Sequence, residues 1–348
     1  LKERVFEHIF QHFAEGFIAA IRQREGKDAV IDQDRLDTVY QGTLTFLYRL
    51  MFLLYAESRA LLPVQDVRGY YDISLEKLKH DIAERAGNVY DEAPARLRKA
   101  YSADSTDLYA RLTALFKVID QGDAGRNVPR YNGGLFITEP GDGATQDHAT
   151  ARFLRDTPIP DRHLALGLDL LARDVDDRTK ALALIDFKSL GVRQLGSIYE
   201  GLLEFKLRIA PEKMAIVRGK RTEEIIPYAE AKKGKRRILT EGRGQNAVER
   251  IKPKGAVYLE NTRQERKATG SYYTPDYIVK YIVQHTVGPV LDEKFDALTP
   301  RLRDAERRYQ TARKNAAAKS TKDHTEDAEK FWNSEEMQRL AYDVLDVK

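Results

Sequence analysis

The chain has 348 residues, 42% hydrophobic and 32% charged, with a net charge of +4. That is the composition of an ordinary soluble protein with room for two or three compact units, and the charge alone does not announce a nucleic-acid binder. The absence of cysteine excludes a disulfide framework and thiolate zinc sites, and it agrees with the reducing cytoplasm in which we expect the protein to work.

Taken from the start, Val5, Ile9 and Phe13 with Phe6 and Phe17 recur every three or four residues and form one helical stripe. Residues 32–60 predict a longer helix. Leu44, Leu47, Met51 and Leu54 share one face while Phe46, Leu50 and Leu53 fill the other, so this helix is central, with Pro63 as its stop. Its apolar run, Leu50-Met51-Phe52-Leu53-Leu54-Tyr55-Ala56, is far too short to cross a bilayer, and no signal-peptide pattern opens the chain, so no membrane partner is expected. Residues 75–86, 93–101 and 108–121 predict amphipathic helices, with Ser74, Asp91 and Thr106 near their starts. Asn132-Gly133-Gly134 forces a turn, and residues 162–172 and 190–205 predict two further helices.

After Phe205 the texture changes. Residues 207–209, 214–217, 224–228 and 256–259 are short apolar runs separated by Gly, Pro and charge, which predicts a small antiparallel sheet. Between two of its strands lies a long basic loop, residues 232–254, with nine cations against Glu241 and Glu249. Lys232, Lys233, Lys235, Arg236, Arg237 and Arg243 make it the candidate contact with DNA phosphates, and few apolar anchors predict that it is mobile without DNA. A solvated loop without DNA contact is the alternative reading.

Gly270-Ser271-Tyr272-Tyr273-Thr274-Pro275 is the most informative string. Thr274 can cap a helix, and Pro275 fits its first turn because it has no amide hydrogen to leave unpaired. The helix then runs from Asp276, burying Ile278, Ile282 and Val283, and breaks at Gly288-Pro289. Free amides at such a start favour an anionic group, and the two tyrosines add aromatic faces, which suits a small zwitterionic ligand. Residues 300–348 are helical and heavily charged, interrupted by the polar loop Lys319-Ser320-Thr321-Lys322-Asp323.

The string from Arg266 to Pro275 resembles motif X of the adenine-specific DNA methyltransferases, in particular the large type IIG restriction-modification enzymes and related phage-exclusion methyltransferases. Three further strings resemble the same family in the same order: Leu47-Tyr48-Arg49-Leu50 through Tyr55-Ala56-Glu57-Ser58-Arg59, then Tyr131-Asn132-Gly133-Gly134-Leu135-Phe136, then residues 195–204 around Tyr199-Glu200-Gly201. The resemblance implies transfer of a methyl group from S-adenosylmethionine to the adenine amino group of double-stranded DNA. Gly270, Ser271, Tyr272, Tyr273, Thr274 and Pro275 would line the cofactor pocket, and other defence-system subunits are candidate partners. The family's glycine-rich cofactor loop and its Asn-Pro-Pro-Tyr-like adenine clamp do not occur in these residues. The chain therefore reads as an internal piece ending before the catalytic core, with no catalytic residue of its own.

The implied architecture is mainly α with a small antiparallel β portion. A helical connector (1–205) precedes a β-rich segment (206–262), then motif X and its helix (263–299) at the amino-terminal edge of a Rossmann-like domain, then a charged arm (300–348). Two rivals come from other classes. One is a DNA-binding or scaffolding module without activity. The other is a magnesium-dependent nuclease on Asp161 and Asp186, since Asp186-Phe187-Lys188 mimics a metal-binding tripeptide, as does Glu204-Phe205-Lys206. In the family, magnesium would belong to an upstream nuclease. His8 and His12 lie four apart on a helix, but without a visible third ligand they read as a surface pair, and no metal site is assigned.

Overall fold

The computed structural model describes residues 4–318 apart from 132, 142, 144, 177, 191, 203–204, 220–222, 235, 242–247, 262–273 and 275. The chain divides into two compact units, residues 1–271 and 272–348. The described structure is mainly helical with a small antiparallel sheet portion.

The first unit opens on one π-helical turn, Val5–Ile9, continuing into α1 (Phe10–Glu25). Val5, Ile9, Phe13 and Phe17 are buried as their spacing predicts. The central helix α2 (Gln33–Ser58) starts where Asp32 accepts a hydrogen bond from the Arg35 amide. Phe46, Leu47, Leu50 and Leu53 are fully buried on it, so it is enclosed on nearly every side. It stops at Ser58, short of Pro63, where Leu61 N turns back onto Ala56 O.

Around α2 pack α3 (Leu75–Ala86), α4 (Ala93–Ala100), α5 (Asp107–Gln121), α6 (Gln146–Asp156) and α7 (Asp161–Ala172). Ser74 caps α3 through Lys77 N. Thr106 does not cap α5; Asp161, from the first turn of α7, takes that role by accepting from Leu108 N at 2.8 Å. A short hairpin, β1 (Arg173–Val175) with β2 (Leu182–Leu184), follows, then α8 (Val192–Leu202).

The chain then crosses to strands. β3 (Phe205–Ile209) pairs antiparallel with β9 (Val257–Asn261), and Leu207, Val257 and Leu259 enter the same apolar core as the helices. Between them, β4 (Met214–Arg218) lies between β5 (Glu223–Pro227) and β8 (Ile251–Lys252). This small sheet has its own core of Ala215, Val217, Ala231 and Ile238.

The basic stretch is not the single long loop its sequence predicts. Its described parts form the end of α9 (Tyr228–Lys233), a bridge from Ile238 to Val217, and the short pair β6 (Thr240–Glu241) with β7 (Val248–Glu249). Buried Ile238 is the apolar anchor that holds it.

The second unit is described for Thr274 and for α10 (Asp276–Ala318), which passes through both Pro289 and Pro300 without the predicted break at Gly288-Pro289. Each proline removes one helical hydrogen bond, and the rest of a long helix on either side keeps the chain helical.

Candidate functional site

The structure joins the first two of the strings that carried the resemblance. Arg49 stands in the middle of apolar α2, 4% exposed, and donates from Nε to Leu135 O at 2.7 Å and from Nη2 to Ile137 O at 3.0 Å. Its guanidinium lies 5.2 Å and 5.8 Å from the ring centres of Phe116 and Phe136. Burial lowers its pKa to about 10, which leaves it cationic at neutral pH. Beside it, Tyr131 packs edge-on against Phe52 and donates to Leu61 O at 2.9 Å. The 131–136 string is thus clamped onto the 47–59 string by one buried cation and a group of rings; Asn132 lies outside the described residues.

Glu57, from the same helix, is 6% exposed and accepts from Tyr70 Oη at 2.8 Å, Leu75 N at 3.0 Å and Glu76 N at 2.6 Å. The two amides are the first of α3, so the carboxylate faces the positive end of that helix. Burial pushes the Glu57 pKa up to about 7 against the pull of those three hydrogen bonds.

The third string forms α8, where Ile198 and Leu202 are buried and Tyr40 donates to Leu202 O. A Cβ at Gly201 would come within 2.5 Å of the Phe6 ring, so only a glycine lets the two elements meet this closely. Leu203 and Glu204 lie outside the described residues. These three strings build a scaffold: the polar side chains that tie it together, Arg49, Glu57 and Tyr40, are buried and spend their hydrogen bonds on backbone groups and Tyr70.

Of the fourth string, Gly270, Ser271, Tyr272, Tyr273 and Pro275 lie outside the described residues, while Thr274 is exposed and α10 begins at Asp276. One expectation is corrected. Ile282 and Val283 are 49% and 46% exposed, with Tyr277 and Tyr281 also on the surface, and Ile278 is half-buried. Among the described residues of its unit, no other element covers that face of α10.

In the basic segment, Lys232 pairs with Glu249 at 2.7 Å and lies over the Tyr228 ring. Arg236 pairs with Glu224 at 2.6 Å, and Arg250 with Glu223 at 2.8 Å. Glu223 and Glu224 come from β5, outside the basic window, so a count along the sequence overstates the charge that faces solvent. Lys233 and Arg237 are exposed and make no ion pair among the described residues; Lys235 and Arg243 lie outside them.

The nuclease rival finds little geometric support. Asp161 is 5% exposed and accepts from Leu108 N and from Ser105 Oγ at 2.7 Å. Asp186 is exposed and caps Lys188 N at 2.9 Å, just after a strand that belongs to a hairpin and not to a central sheet. Neither joins a cluster of three metal-ligating groups among the described residues. The one such cluster there is His12, Glu15 and His163, which the sequence pairing of His8 with His12 does not reveal because its third member is supplied from α7.

No protein-family model matches the sequence, and neither a curated protein nor a solved structure matches the chain.

Proposed function

We propose that this chain is part of an adenine-specific DNA methyltransferase of a restriction-modification or other phage-defence system, acting on double-stranded DNA in the cytoplasm. It supplies a helical connector and one wall of the S-adenosylmethionine pocket. The observation that carries the reading is the ordered series of strings at residues 47–59, 131–136, 195–204 and 266–275. The start of α10 directly after Thr274 and Pro275 supports it, since that is where a capped helix would offer free amides to the methionine carboxylate. In this reading one of Tyr272 and Tyr273 packs inward and the other faces the sulfonium, where a cation over an aromatic ring gains about 0.5 to 2 kcal/mol. The helix would then pack against the edge of a Rossmann-like sheet.

Methyl transfer to a flipped adenine needs an acidic, glycine-rich cofactor loop and an adenine clamp that these 348 residues do not contain. Activity is therefore assigned to the complete parent protein. The test is calorimetric titration of that protein with S-adenosylmethionine. Tyr273→Ala and Thr274→Ala should each raise the cofactor dissociation constant while the melting temperature stays near wild type. Unaltered affinity in both variants rejects the assignment, as does methyl transfer to DNA by the 348-residue chain alone.

A further inference from the structure

α1 and α7 approach each other unusually closely, and two glycines set the distance. A Cβ at Gly16 would lie 2.5 Å from Ile159 Cγ2 and 3.0 Å from His163 Cβ, and one at Gly167 would lie 2.5 Å from the Phe13 ring. This contact brings His163 over the first turns of α1. His12 and Glu15, three residues apart, are neighbours on the surface of that helix. One potential ligand atom from each of His12, Glu15 and His163 lies within 4.8 Å of the other two, and all three side chains are half-buried.

Nothing among the described residues satisfies the polar atoms of this group. None of the three makes a side-chain hydrogen bond there, and His163 Nδ1 is shut off from solvent with no partner at all. A buried polar atom left this way costs about 1 to 3 kcal/mol, and His163 Nδ1 sits in a group whose ligand atoms lie within 4.8 Å of one another, a gathering that a bound cation would satisfy. Burial, the largest influence, lowers the pKa of His12 to about 4, and it lowers that of His163 as well. After burial, His163, His8, Arg98 and Lys252 act in the same direction on His12, and Arg162 and Arg98 on His163. Burial raises the pKa of the Glu15 carboxyl, and Lys252 draws it down only in part.

We propose that His12, Glu15 and His163 form a binding site for a divalent transition metal of the zinc type, with three protein ligands and a fourth position open to water. Two imidazoles and a carboxylate are a donor set that suits such ions and that hard cations such as magnesium do not select. Zinc holds nitrogen and oxygen ligands at about 2.0 to 2.2 Å, so binding draws the three side chains inward by rotation about their own bonds while the glycine-spaced helices stay in place. The ion joins the beginning of the chain to α7, across about 150 residues of intervening sequence, and so acts as a staple on the helical unit.

The test uses the full chain, with any affinity tag removed, after dialysis against a chelator. Titration with cobalt(II) should give a visible ligand-field band that saturates at one ion per chain, and zinc should bleach that band and raise the melting temperature. His163→Ala should abolish both effects. Glu15→Gln, nearly identical in volume and safe for folding, should weaken cobalt binding at least tenfold, while His80→Ala, which removes an exposed imidazole paired with Glu76, should leave it unchanged. Absence of the band in wild type overturns the proposal, as does a band that persists unchanged in both His163→Ala and Glu15→Gln.

Discussion

Replacing Glu57 by glutamine tests whether burial or hydrogen bonding governs a deeply enclosed carboxyl group of the helical unit. In the folded protein burial raises its pKa from 4.5 to about 7. A group whose folded pKa lies above the unfolded one contributes stability that is complete below about pH 4.5 and disappears as the pH rises through 7. The interval between the two values corresponds to about 3 kcal/mol. Glutamine keeps one carbonyl oxygen for the donors Tyr70 Oη, Leu75 N and Glu76 N, but presents an amide to at least one of them. That mismatch costs about 1 to 2 kcal/mol and does not titrate. Urea denaturation of wild type and Glu57→Gln at about pH 5 and about pH 8 measures the difference. The variant should be less stable by about 1 to 2 kcal/mol at the lower pH and equal to or more stable than wild type at the higher one. A cost that grows between the two conditions would mean that the three hydrogen bonds and the α3 amino terminus outweigh burial, and the reasoning would fail.

Arg49→Met removes the partner of two part-buried carbonyls and a cation from two rings, and should cost about 2 to 4 kcal/mol in denaturant titration; a loss under about 1 kcal/mol would show that water replaces it. Gly201→Val should lower the melting temperature sharply, because its side chain meets the Phe6 ring in a packed contact, whereas the same change at exposed Gly133, where a Cβ meets nothing within 4 Å, should not. On the proposed DNA-binding reading, the double variant Lys233→Glu, Arg237→Glu should weaken affinity for duplex DNA and flatten the log–log salt slope by about 1.8, the amount for two phosphates. An unchanged slope makes this surface a bystander. Arg236→Glu, by contrast, places a carboxylate against Glu224 and should destabilise the small sheet.

Much of the first unit was legible from local signals: Ser74 caps its helix where the sequence puts it, and the apolar period of residues 5–17 and 44–54 is the buried stripe. The four strand runs after Phe205 also fall where their apolar residues predict. What escaped was decided by partners far away. α6 has two large apolar residues, Phe153 and Leu154, and no side-chain cap, so it is held by tertiary packing that no local pattern announces. The cap of α5 comes from Asp161, distant along the chain, and the charge of the basic stretch is offset from β5. Pro289 read as a stop because a local rule cannot weigh one lost bond against a helix of 43 residues. The helix start after Thr274 and Pro275 was legible from their capping chemistry, and α10 begins at Asp276; residues 270–273 and 275 themselves lie outside what the structure describes.

The pairing of β3 with β9 gives the small sheet a particular standing in the molecule. The chain leaves the helical core along β3 and returns along β9, with Ala210 and the 255–256 turn closing the gap through hydrogen bonds of 2.8 Å in both directions. The described residues between 211 and 254 are borne on that stem like a grafted branch, with Lys252 reaching Gln11 of α1 as a side tie. Insertions, deletions or wholesale exchange toward the tip of the branch leave the register of the stem intact, because the cross-strand bonds that define it lie below the graft. The charged surface carried by α9 and the segments around it can therefore be exchanged without touching the contacts of Arg49, Glu57 and Gly201 that lock the trunk of helices beneath it.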